Sequence, residues 1–248
     1  MEKAFKALVI AIIVLLAISI IPNLSLRQIT IPELSTEKPK VTVTNITFRG
    51  VSLHVPAVDN EGNGVTTTLM VESKPGKGGT LVDVNQLLFW VDTQYSIRTA
   101  RKVAEDYTKL DLSNIDLIYS IETNASVIGG PSAGAALTVA TIAVLENKTL
   151  NPKVMITGTI NSDGTIGPVG EIVAKAKAAK DIGATTFLVP DGQAVQTYYI
   201  PEEKCQKFGP VTYCTTEYTA KKVDASKDAG ITVKEVSNIN EALGYFFQ

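Results

Sequence analysis

Residues 129–145 read Gly-Gly-Pro-Ser-Ala-Gly-Ala-Ala-Leu-Thr-Val-Ala-Thr-Ile-Ala-Val-Leu. No other stretch constrains the fold as strongly. A helix that is apolar on every side has no face for water, so the rest of the fold must enclose it. Pro131 suits a first helical position, and the glycines before it let a ligand approach the backbone closely. The helix is therefore expected over residues 131–145, with Ser132 in its first turn. Unpaired backbone amides and the positive end of the helix dipole point there at any group beside the hydroxyl. A developing oxyanion needs such an environment. The same segment also fits a serine that merely caps the helix, or a phosphate site at the helix terminus.

A nucleophilic hydroxyl needs a group to take its proton. The chain has one histidine, His54, in Val51-Ser-Leu-His-Val-Pro56, which reads as a strand. That leaves lysine as the next acceptor. A helix is expected over residues 171–181, where Ile172, Ala176 and Ala179, continued by Ile182, form one apolar stripe at about 100° per residue. Lys175 falls inside the stripe, while Lys177, Lys180 and Asp181 fall on the solvated side. Burial lowers a lysine pKa, and a neutral amine serves as a general base near neutral pH. A lysine that snorkels along the apolar face to water fits the same geometry. Thr157, at the end of a strand expected over residues 154–158, has a hydroxyl able to orient either partner.

Elsewhere the chain divides simply. Residues 7–21 are apolar except for Ser19 and follow Lys3 and Lys6, the pattern of a membrane anchor or a signal peptide; both leave the rest of the chain outside the cytoplasm. Residues 26–40, with Pro32 and Pro39, read as a linker, and the folded domain is expected from 41 to 248. Strands are expected at 41–44 and 46–48. A hairpin is expected between 64–72 and 80–84, around Pro75-Gly-Lys-Gly-Gly79. A helix at 95–109, strands at 117–121 and 185–189, and a terminal helix at 238–247 follow. Strands and helices alternate from about residue 95, which indicates α/β packing. Gly209-Pro210 between Cys205 and Cys214 reads as a turn that brings the thiols together, and a disulfide there fits an oxidising compartment. Four Asn-x-Ser/Thr sequons, at Asn23, Asn45, Asn124 and Asn147, permit glycosylation outside. A net charge of -2 provides no basic footprint for nucleic acid. Two cysteines with no histidine beside them make a poor zinc site.

The segments Gly130-Pro-Ser-Ala-Gly134, Thr157-Gly158 with Gly164 and Pro168-Val-Gly170, Lys175, and Ala178-Ala179 with Gly183 and Val189-Pro190 together resemble the proteolytic domain of the Lon peptidases. The resemblance covers about residues 60 to 248. It implies Ser132 as nucleophile, Lys175 as base and Thr157 as a supporting hydroxyl, with no cofactor and no metal. It also implies an α+β fold with mixed sheets in place of the α/β impression, polypeptide substrates, and a homo-oligomer, typically a hexameric ring. The chain departs from the family where many relatives have a second glycine (Glu171 here) and an acidic residue before the nucleophile motif (Gly129 here). The Cys205–Cys214 insertion is a further departure. The phosphate-loop pattern Gly-x-x-x-x-Gly-Lys-Ser/Thr of the Lon ATPase module is absent from this sequence. The expectation is therefore an ATP-independent serine endopeptidase acting on unfolded or flexible chains. It would be a single-pass membrane protein with its peptidase domain outside, or alternatively secreted. Two rivals stand beside it: a catalytically inert Lon-like binding or assembly module, and a signal-peptidase-like enzyme of mostly β fold.

Overall fold

Alternating side chains build the first sheet. In β1 (Arg49–Val58), Leu53 and Val55 turn inward; in β2 (Gly64–Pro75), Thr67, Leu69, Val71 and Ser73 do. The two strands pair antiparallel, with Val55 opposite Thr67. The computed structural model describes residues 48–83, 91–122 and 130–247, all within one unit spanning Pro39–Gln248. The apolar run, the linker, the strand readings over 41–47, Gly129 and the sequons at Asn23, Asn45 and Asn124 lie outside the described residues. No helix among the described residues is long and apolar enough to cross a membrane.

The hairpin expected between 64–72 and 80–84 does not form. β3 (Thr80–Val82) and β4 (Ile115–Glu122) complete the sheet in the order β1-β2-β4-β3, so β4 lies between the two expected partners. β4 has the stronger claim to the central position, because Ile115, Leu117, Tyr119 and Ile121 are all buried. Its Asp116 also holds the glycine turn in place by accepting from the amides of Lys77 and Gly79. β3 consequently runs parallel to β4.

The expected helix at 95–109 is α1 (Val91–Thr108). The apolar segment forms α2 (Gly134–Glu146), preceded by a 3₁₀ turn at Pro131–Ala133. Every residue of α2 from Gly134 to Leu145 is buried, between α1, the first sheet and the C-terminal helix. Its two threonines satisfy their hydroxyls on the helix's own carbonyls at Gly134 and Leu137. Thr141 also bonds the Tyr119 hydroxyl at 3.0 Å, and burial pushes that phenol up to about 12.

The second sheet is wholly parallel, in the order β11-β8-β5, from β5 (Val154–Ile156), β8 (Thr186–Pro190) and β11 (Thr232–Val236). β6 (Thr159–Ile160) and β7 (Ile166–Gly167) form a small antiparallel pair. On the second sheet lies α3 (Ile172–Asp181), whose Ile172, Ala176 and Ala179 share a core with Met155, Phe187 and Val189. α4 (Ala225–Ala229) joins that core, and α5 (Ile239–Phe246) closes the chain against α2. One mixed sheet, one parallel sheet and helices on both make an α+β fold, as the family resemblance implied.

β9 (Val195–Phe208) and β10 (Val211–Asp224) form a long two-stranded ribbon, exposed along nearly its whole length. Gly209, at φ 61°, turns the chain between them as a type II′ hairpin requires. Cys205 and Cys214 face each other across the ribbon and are joined as a disulfide.

Candidate active site

Ser132 lies in the 3₁₀ turn that leads into α2, partly open to solvent. The expected helix start is thus resolved into a tight turn and then the α-helix. No side chain caps either one, so Ser132 is not a capping serine. The turn is fixed from behind. The Ser132 carbonyl accepts from the Gly158 amide at 2.9 Å and from Thr157 Oγ1 at 3.2 Å. The Ala135 amide donates to the Gly158 carbonyl at 3.0 Å. Gly134 permits this approach: a Cβ on it would meet the backbone nitrogen of Ile160 at 2.8 Å. Gly134 and Ala135 have spent their amides on Pro131 and Gly158, so neither is free to meet a group beside the serine.

Thr157 is fully buried, and its amide donates to the Leu188 carbonyl of β8. The strand end therefore ties the parallel sheet to the serine turn. Of the two partners its hydroxyl was expected to orient, Thr157 reaches Ser132, through the backbone carbonyl.

Lys175 is 4% exposed, on the same stripe as Ile172, Ala176 and Ala179. Lys177 and Lys180 are exposed, and Lys177 pairs with Asp228 at 2.7 Å. Lys175 has no ion pair among the described residues. Burial pushes its pKa down to about 8, against an opposing pull from Glu171. Because α3 connects parallel strands β5 and β8, its first turns stand at the carboxyl ends of those strands. Gln193, just past β8, fixes this entrance by bonding both the amide and the carbonyl of Val169, at 2.9 and 2.8 Å. Thr157 is the residue next after β5, so Lys175 and the Thr157–Ser132 pair belong to the same edge of the sheet. No hydrogen bond joins Ser132 to Lys175 in this structure. Catalytic hydrogen bonds often tighten only once substrate is bound.

His54 sits on β1 with its Nδ1 3.3 Å from Thr68 Oγ1, on an exposed face of the first sheet. Glu203 places a carboxylate near the two cysteine sulfurs on the ribbon, but the disulfide commits those sulfurs to each other. Sequence reasoning missed Gln193, the main-chain bonds that Gly158 makes and the left-handed backbone of Glu171 (φ 58°). The first two act through main-chain geometry that no residue pattern encodes. The third had a signal, since a left-handed position favours the glycine that the family resemblance leads one to expect where Glu171 stands.

A family model described as the Lon protease (S16) C-terminal proteolytic domain matches residues 66–216. Lon protease of Metamycoplasma arthritidis is 28% identical over 208 residues, covering 78% of this chain and 24% of the relative. Lon protease of Lachnoclostridium phytofermentans is 30% identical over 135 residues, covering 52% of this chain and 16% of the relative. Archaeal Lon protease of Thermoplasma acidophilum is 25% identical over 135 residues, covering 53% and 20%. The chain thus spans a quarter or less of the length of these curated relatives.

Proposed function

Since this chain belongs to the Lon protease (S16) C-terminal proteolytic domain family, we propose that it is a serine endopeptidase working through Ser132 and Lys175. One observation carries the reading. Lys175 is buried with no ion pair among the described residues, and Thr157, the residue next after β5, grips the carbonyl of Ser132. Structural lysines go to solvent or to a carboxylate, because burying an unpaired ammonium is unfavourable.

In the proposed reaction the Lys175 amine takes the Ser132 hydroxyl proton as Oγ adds to the scissile carbonyl. The Ser132 N–H faces the oxyanion that forms. Collapse of the tetrahedral intermediate expels the amine, which leaves with the proton from Lys175, and an acyl-enzyme remains. Water then repeats the sequence and frees the carboxylate product. Thr157 holds the turn that aims Oγ.

The substrates proposed are chains already unfolded or flexible, cleaved without ATP. The apolar run at residues 7–21, together with the ribbon disulfide, supports a membrane anchor with the peptidase domain on the oxidising side, or secretion. Lon proteases are the relatives, and a ring of identical subunits is the assembly proposed.

A fluorophosphonate reagent should label Ser132 in one-to-one stoichiometry, and the protein should cleave unfolded casein. Ser132→Ala should lose both properties. Casein cleavage unchanged in Ser132→Ala would refute the mechanism; absence of labelling would leave the inert binding module. The rate should rise with pH along a limb centred near 8, because at pH 7 only about a tenth of the Lys175 amine is neutral. A profile flat from pH 6 to 9 would exclude lysine as the base.

A further inference from the structure

Glu171 lies one turn before Lys175, at the entrance to α3, in left-handed backbone (φ 58°, ψ 38°). That conformation costs a non-glycine residue on the order of 1 kcal/mol, and glycine would occupy it freely. Nothing local offsets the strain. The Glu171 side chain caps no amide of α3. It is exposed, and among the described residues it has no hydrogen bond and no ion pair. A strained residue with no structural return is a reason to look for function.

The surroundings narrow that function. The charge of Glu171 is felt at Lys175; at Tyr198, near the root of the ribbon, burial raises the pKa most, and Glu171 and Asp228 add to it. Asp228 is already neutralised by Lys177 at 2.7 Å. Glu171, by contrast, has no ion pair among the described residues. The ring of Tyr198 is partly exposed, a surface on which a cationic side chain can rest.

We infer that Glu171 is a specificity-determining residue that selects polypeptides with a lysine or arginine close to the scissile bond, the ring of Tyr198 supporting the bound cation. This rests on the Ser132–Lys175 reading, because it places Glu171 one turn from the base. A lone surface carboxylate facing a cation favours it modestly, and a gain of about tenfold is expected at low salt.

The test compares peptides identical except for one residue near the cleaved bond: lysine, its neutral counterpart norleucine, or glutamate. The parent should show a kcat/KM ratio of lysine to norleucine of about ten, falling as salt is added. The ratio should approach one in Glu171→Gln and in Glu171→Gly, persist in Glu171→Asp, and turn toward the glutamate peptide in Glu171→Lys. A parent ratio near one, or a ratio unaltered in Glu171→Gln, overturns the inference. Labelling of Ser132 by a neutral fluorophosphonate separates the two levels. If Ser132 is labelled and peptides are cleaved without charge preference, only the role of Glu171 fails. If Ser132 is not labelled and no peptide is cleaved, both readings fall together.

Discussion

Lys175 shows how one residue can work against the fold that holds it. Its folded-state pKa of about 8 lies below the ordinary 10.5, so the unfolded chain binds more protons between those values. Stability from this group therefore rises with pH from about 8 to 10.5, and below 8 the folded protein carries the full disadvantage. The difference corresponds to at most about 3 kcal/mol. Lys175→Met keeps the length and removes the charge. It should be inactive yet melt several degrees higher at pH 7, with the advantage over the parent shrinking as pH approaches 10. Equal melting temperatures at pH 7 would mean that the amine reaches water. Gly134 sets a limit of another kind. Alanine would favour the helix by up to about 1 kcal/mol, but its Cβ would meet Ile160 Cγ2 at 2.7 Å and Ile160 N at 2.8 Å. Backbone cannot retreat as a side-chain tip can, so the clash decides. Gly134→Ala should destabilise by about 2 kcal/mol, measured by urea denaturation, and should slow acylation of Ser132 by displacing its turn.

Among elements, the ribbon and α2 stand at opposite extremes. α2 is buried all round, and its apolar sequence made that legible. The ribbon was read only as a turn between two cysteines, although Tyr198, Tyr199, Ile200, Val211 and Tyr213 are strand-forming residues. The usual hydrophobic signal failed because the ribbon rests on no core for most of its length. Its order comes from cross-strand pairing and from the disulfide opposite the turn. Cys205→Ser with Cys214→Ser should therefore loosen the ribbon locally. Amide exchange should quicken between Lys204 and Thr215, with little change in the melting temperature of the whole. A large global loss would show that the ribbon supports the core.

At the scale of the whole molecule, the two cores contain no residue between Tyr198 and Lys221. Replacing that segment with a short Asn-Gly hairpin should leave a folded protein whose melting temperature shifts by a few degrees at most. Failure to fold would mean that the ribbon is needed to close the second sheet.

Much of the local structure around the candidate site was readable from the sequence. The proline–serine turn before an apolar helix, one lysine of three on the inner stripe, and the strand-ending threonine are local patterns, because helical periodicity and backbone chemistry act within a few residues. The strand order was not readable: β4 rather than β3 pairs with β2, since pairing between distant segments depends on which strand buries more. Nor could sequence alone bring Thr157 to the Ser132 carbonyl, lock Val169 with Gln193, or reveal that Glu171 is held in a glycine conformation. Those are contacts between segments far apart in the chain or backbone angles imposed by packing, and only the assembled sheets create them.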